Sequence, residues 1–173
     1  MTFKLAKSIE ILDKTPEVLN CMLQTLSPEW TSQNEGGDTW SVYDVIGHLI
    51  HGEKTDWMPR LDIILSDKAD KTFEPYDRFA QFEASKGKSL AQLLTEFASL
   101  RKLNLEKLHS LGLNETDGEK TGIHPSFGEV TLSELIATWV VHDLNHTAQI
   151  SRVMAKQYKE AVGPWINYLR ILQ

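Results

Sequence analysis

The stretch Thr131–Tyr158, "TLSELIATWVVHDLNHTAQISRVMAKQY", decides how the rest of the chain is read. Thr131 followed three residues later by Glu134 forms a capping box, which predicts a helix start at that point. Leu132, Leu135, Ile136, Trp139, Val140, Val141 and Leu144 then spread apolar surface over much of the circumference. A helix apolar on most sides belongs at the centre of a bundle. Yet His142 and His146 stand within it at i and i+4, about 40° apart around the axis and so on one face. Leu135, Trp139 and Gln149 share that stripe. Polar rings in such surroundings need partners. Either both are core histidines bonded to neighbouring groups, or they hold an ion.

Outward from this helix the periodicity stays helical. Before it lies a long loop, "GLNETDGEKTGIHPSFGEV" (112–130), and before that a helix from Ser89, capped with Gln92, to about Leu111 ahead of Gly112. A second long connection, "SDKADKTFEPYDRFAQFEASKGK" (66–88), is polar and aromatic, and loops of that length often wall a site. It follows a helix predicted from Ser41, with Asp44 as capping partner, to about Leu65, kinked at Pro59. The first helix is expected over Phe3–Leu26, with Thr15-Pro16 restarting it midway, and "SPEWTSQNEGGDT" (27–39) as the loop after it. At the other end "VGPWINYLRIL" (162–172) should dock Trp165, Ile166 and Leu169 on the bundle. Four long helices, two long crossovers and no run of alternating strand residues predict an all-α four-helix bundle, with residues 1–173 as one domain.

Bundles build ligand and metal sites between facing helices. In "WSVYDVIGHLIHGEKTDW" (40–57) His48 has Val45 and Leu49 beside it, and Gly47 leaves room for another helix to approach. His51 lies about 60° from His48 on the helix, as an additional ligand or a solvated residue. Glu53, about 140° away, is a poorer choice. His124, in the loop before the last long helix, either reaches the same region or sits at the surface. Asp56, Trp57 and Arg60 either line that cleft or cap the bundle end. Arg78 could hold an anionic substrate or make a surface ion pair. No Ser-His-Asp order, glycine-rich phosphate loop or paired-carboxylate pattern is evident.

Composition excludes several classes. A formal net charge of -6 with no basic run argues against nucleic-acid binding. No signal-like or membrane-spanning apolar run is present, so a cytoplasmic protein without membrane association is expected. The one cysteine, Cys21, excludes an intrachain disulfide, and "VLNCMLQTL" (18–26) reads as placing it in the core.

"W-S-V-x-D-V-I-G-H-L" followed some ninety residues later by "H-D-L-N-H-T-A-Q-I" resembles the DinB-like/YfiT-like superfamily of metal-binding four-helix bundles. The resemblance covers almost the whole chain, including "TDWMPR", "HPSFG" and "VGPW". It implies a metal held by His48, His142 and His146, with positions left open to water, and Trp139 as a wall of the site. Three neutral imidazoles suit Zn or Ni first, with Fe or Mn as alternatives. The resemblance further implies a metal-dependent enzyme acting on a small molecule, either a hydrolase or a transferase using a low-molecular-weight thiol. His51, His124 and Trp139 are the candidate substrate-binding residues. The rival expectation is a non-enzymatic homodimer serving stress response or interaction, its metal site structural or vestigial.

Overall fold

The computed structural model describes residues 2–173. Its helices are α1 (Leu5–Leu23), α2 (Pro28–Ser32), α3 (Val42–Thr55), α4 (Trp57–Leu65), α5 (Ala80–Ser85), α6 (Leu90–Ser110) and α7 (Leu132–Lys156). The four-helix bundle consists of α1, α3 continued by α4, α6 and α7, with α1 packed on α6 and α7, and α3 packed on α6. The three expected capping boxes are present. Ser41, Ser89 and Thr131 each accept the backbone N–H of the residue three further on, whose side chain returns the bond. Gly112, at φ +57, closes α6 in the left-handed conformation glycine tolerates best.

Prolines act differently from expectation. Pro16 does not restart α1, which runs through it. Having no N–H, it leaves the Leu12 carbonyl without its helical donor, and Arg101 Nη1 donates to that oxygen at 2.7 Å. The second long helix is not merely kinked at Pro59 but divided at Asp56 (φ -111, ψ -71). The ring of Pro59 opposes the carbonyl four residues back, that of Thr55, so α3 ends there and α4 begins with Pro59 in its first turn.

The 112–130 loop is not structureless. It holds a short 3-10 helix (Glu115–Glu119) and an antiparallel hairpin of β1 (Thr121–His124) and β2 (Gly128–Thr131). Four residues per strand are too few for alternation to show in sequence. The 66–79 segment joins the hairpin edge, because Phe73 N–H donates to Ile123 O and Ile123 N–H to Lys71 O, both at 2.9 Å. Gly122 is required there, since a Cβ would lie 2.5 Å from Phe73 Cε1.

The C-terminal tail forms two 3-10 turns, Gly163–Tyr168 and Arg170–Leu172. With three residues per turn, Ile166, Leu169 and Leu172 share a row, and only Leu172 is buried. Trp165, expected to dock, points outward with 70% exposure. Cys21 is likewise exposed, not core. It sits about 200° around α1 from buried Leu19, on the outer face. Among the described residues no helix is long and apolar enough to cross a membrane.

The core has two apolar clusters. One contains Leu12, Trp57, Leu105 and Trp139, and the other Leu19, Leu49, Phe97 and Ile150. Between them along α3, α6 and α7 lie Glu53, Arg101 and Asp143, all buried. Arg101 donates to Glu53 Oε1 (3.1 and 2.8 Å), to Asp143 Oδ1 and Oδ2 (3.0 and 2.6 Å) and to the Leu12 carbonyl. Glu53 also receives Trp139 Nε1–H and Asn104 Nδ2–H, each at 2.9 Å. This polar layer ties all four long helices together.

Candidate metal centre

His48 comes from the middle of α3, while His142 and His146 come from consecutive turns of α7. The cap at Ser41 fixes where α3 begins, and Gly47 lets α5 lie against it. A Cβ on Gly47 would meet Ser85 Oγ at 2.5 Å. Across the interface His142 Nε2 lies 2.9 Å from His48 Nε2 and 3.1 Å from His146 Nε2. One ring nitrogen of each of the three falls within 4.8 Å of the others. Core histidines satisfied by separate neighbours would turn these nitrogens apart. Here all three Nε2 atoms face one another.

The outer ring nitrogens explain the orientation. His146 Nδ1 is 2.7 Å from Gln149 Oε1, an oxygen that only accepts, so Nδ1 carries the proton and Nε2 offers a lone pair. His48 Nδ1 is 3.1 Å from the Tyr76 hydroxyl. His142 Nδ1 is buried with no partner among the described residues. That ring is held by packing, with Trp57 edge-on at 5.0 Å between centroids. Trp40 lies 4.9 Å from His48 and stacks at 6.4 Å on His146.

Burial disfavours protonation of this cluster, and the mutual repulsion of its rings adds to the effect for two of them. His48 is pushed down to about 3, by desolvation first and then by His146, His51 and Arg78. His142 is pushed down to about 2, again by desolvation first. Desolvation also lowers His146, although Gln149 and Asp143 oppose it. All three rings are therefore neutral near pH 7, the form that ligates metal.

The geometry suits a cation. Bonds of 2.0–2.1 Å in a tetrahedral site separate ligand nitrogens by about 3.3 Å. The spacings of 2.9 and 3.1 Å lie within a few tenths of that. Three neutral nitrogens leave at least one position for water or substrate, the arrangement of catalytic rather than structural sites.

The cluster opens on a cavity of about 720 Å³. Trp40, Trp57, Phe73 and Tyr76 supply much of its wall, and Asp56, Arg60 and Arg78 also line it. Asp56, Trp57 and Arg60 thus belong to the cleft rather than capping the bundle end. His124 lines the cavity too; its Nδ1 accepts from Ser126 N–H (3.1 Å) and its ring stacks on Phe127 at 4.3 Å. His51 does not line it. It is half-buried, with Nε2 3.4 Å from Thr55 Oγ1 and its ring 5.0 Å from Tyr76. Trp139 lies one layer behind the wall, 1% exposed and stacked on Trp57 at 5.8 Å.

Tyr76 and the Arg101 layer escaped sequence reasoning. Tyr76 comes from a connection without periodicity. For Arg101 the available signal was Phe97, Arg101 and Leu105 at helical spacing, a cation on an apolar stripe.

Fold and site define a four-helix bundle with a three-histidine cluster that could hold a metal ion. The family profile of the DinB superfamily matches residues 11–150, and the chain belongs to that superfamily. It is similar to proteins named "Putative metal-dependent hydrolase" from Bacillus cereus (strain AH820) and Bacillus anthracis (strain A0248). Each is 29% identical over 147 residues, covering 83% of this chain and 81% of the relative. Among solved structures, YfiT from Bacillus subtilis superposes with a TM-score of 0.73 at 19% identity, over 88% of this chain and 86% of that one. That protein is described as a probable metal-dependent hydrolase with an unusual four-helix bundle topology, and it shares the fold.

Proposed function

We propose that this protein is a metal-dependent hydrolase of a small molecule, with His48, His142 and His146 as the metal ligands. The observation that carries the reading is the convergence of three neutral Nε2 atoms on the wall of a large, aromatic cavity. The names of the relatives support hydrolysis over thiol transfer. When bound, a divalent cation supplies Lewis acidity toward an acyl oxygen and toward water. Zinc and nickel suit three imidazoles best, iron and manganese less well.

The chain's own groups prepare that chemistry. Gln149 Oε1 holds the proton on His146 Nδ1 and so keeps its Nε2 free. Tyr76 does the same for His48 when its hydroxyl oxygen accepts from Nδ1–H. The Tyr76 proton is then available to a group in the cavity. Burial raises the pKa of that phenol well above its usual value, so it stays protonated and remains a donor. Trp40 and Trp57 flank the histidines and limit water around them.

Elemental analysis of protein purified without chelator, followed by Co(II) titration, tests the centre. About one equivalent is expected in wild type, and none in His142→Ala that still gives a helical circular-dichroism spectrum. Absence of binding in wild type, both as purified and on reconstitution, refutes the site. A screen of ester, amide and thiol-acceptor substrates then tests the reaction, and activity that appears only with an added low-molecular-weight thiol reassigns it to S-transfer. Light scattering tests the homodimer, for which Val141 (63% exposed) and Leu144 (51%) on α7 offer apolar surface.

A further inference from the structure

We infer that the substrate of this cavity carries a carboxylate, and that the guanidinium of Arg60 receives it. The inference rests on the hydrolytic reading of the site and names its substrate class.

The arginines differ in what fills their donor forks. Arg101 is satisfied on every side by Glu53, Asp143 and the Leu12 carbonyl. Arg152 binds both oxygens of Glu35, through Nε at 2.7 Å and Nη2 at 2.9 Å. Arg78 is exposed beside the ring of Phe79, where water serves it. Arg60 is 12% exposed and lines the cavity, yet its side chain makes no aligned hydrogen bond among the described residues. It is paired with Asp56, whose Oδ1 lies 2.6 Å from Nε. That approach is not along an N–H direction, so the contact is an ion pair without an aligned hydrogen bond. The Nη edge is left over. Nearly buried donors without acceptors are costly, and a ligand that meets them recovers that cost.

The fork is also held in place. The guanidinium carbon sits 5.3 Å from the Phe73 ring centroid. Phe73 is 2% exposed and pinned to Ile123 through its backbone. A planar two-oxygen acceptor matches such an edge. Asp56 leaves the local pair neutral overall, which favours a monoanion over a phosphate dianion. Trp40, Trp57 and Tyr76 on the same wall suit an apolar or aromatic body between the carboxylate and the histidines.

Calorimetric titration with 3-phenylpropionate and with neutral 3-phenylpropionamide tests this, on metal-loaded and on chelator-treated protein. The carboxylate is expected to bind about tenfold tighter or more, the scale of one charge-assisted hydrogen bond. That preference should survive chelation and Arg78→Gln, and should disappear in Arg60→Gln. Arg60→Lys keeps the charge beside Asp56 without the fork, and should retain only about two- to threefold preference. A preference that vanishes on chelation, persists in Arg60→Gln or is lost in Arg78→Gln overturns the assignment, as does no preference at all. Co(II) uptake separates the two readings. Wild type that takes up no metal yet keeps the preference loses the metal centre and not the anion site, whereas metal uptake without the preference does the reverse.

Discussion

Replacing Arg101 by methionine keeps an unbranched, flexible side chain, shorter than arginine, and removes the charge from the middle of the bundle. Two carboxylates whose side chains are 0% exposed, Glu53 and Asp143, then lose their counter-ion together. Stranding one buried charge costs about 3–5 kcal/mol. The Leu12 carbonyl, which Pro16 deprives of a helical donor, loses its partner as well, adding about 1–3 kcal/mol. Some relaxation offsets the sum, so a loss of about 5 kcal/mol is expected, about 10–20 °C in Tm for a chain of this size. Urea unfolding followed by circular dichroism measures it. The second arm is a triple variant, Arg101→Met with Glu53→Gln and Asp143→Asn. It removes the stranded charges while Gln at position 53 still accepts from Trp139. It should recover at least about half of the loss, because an uncompensated charge is worse than none. A single variant that loses less than about 1 kcal/mol, or a triple variant no more stable than the single, refutes this account of the polar layer.

Three further outcomes follow from local geometry. Gly122→Ala forces a Cβ to within 2.5 Å of Phe73 and 2.9 Å of Ile64 Cγ1, so thermal melts should show a loss of about 1–3 kcal/mol. Co(II) affinity should fall with it, since Phe73 fixes the segment carrying Tyr76; an unchanged affinity would uncouple the two. Glu35 is held below its usual 4.5, by its hydrogen bond to Arg152 first, so its ionised form is favoured in the folded state. Glu35→Gln should therefore cost about 1 kcal/mol at pH 7, and its deficit against wild type should shrink as pH falls below 4.5; a gap constant with pH refutes the ion pair. Cys21 should react stoichiometrically with a thiol reagent in native buffer, and a reaction that requires denaturant contradicts its exposure.

The long elements were legible because their signals are local. Ser41, Ser89 and Thr131 announce helix starts through residues three positions away, and the apolar run around Trp139 announces a central helix. The pairing of His48 with His142 was approached through resemblance, since nothing local specifies which faces of α3 and α7 meet. Features written in the third dimension stayed hidden. Trp139 shares the histidine stripe in sequence, yet its indole turns inward to Glu53, because a large side chain a turn away follows its packing partners. Pro16 read as a helix start, when its actual effect is to free a carbonyl for a residue 89 positions away. The hairpin was missed because its strands are short and its third edge comes from the distant segment around Phe73.

His48 and His142 stand 94 residues apart along the chain. Closing a loop of that length is slow compared with forming any single helix, and contacts of long sequence separation dominate the folding barrier. The cluster therefore cannot exist in an isolated helix or in either half of the chain, nor on a nascent chain before α7 has emerged from the ribosome. Cation capture by the proposed centre during refolding would report native topology rather than helix content, a time-resolved marker of the association between the two halves.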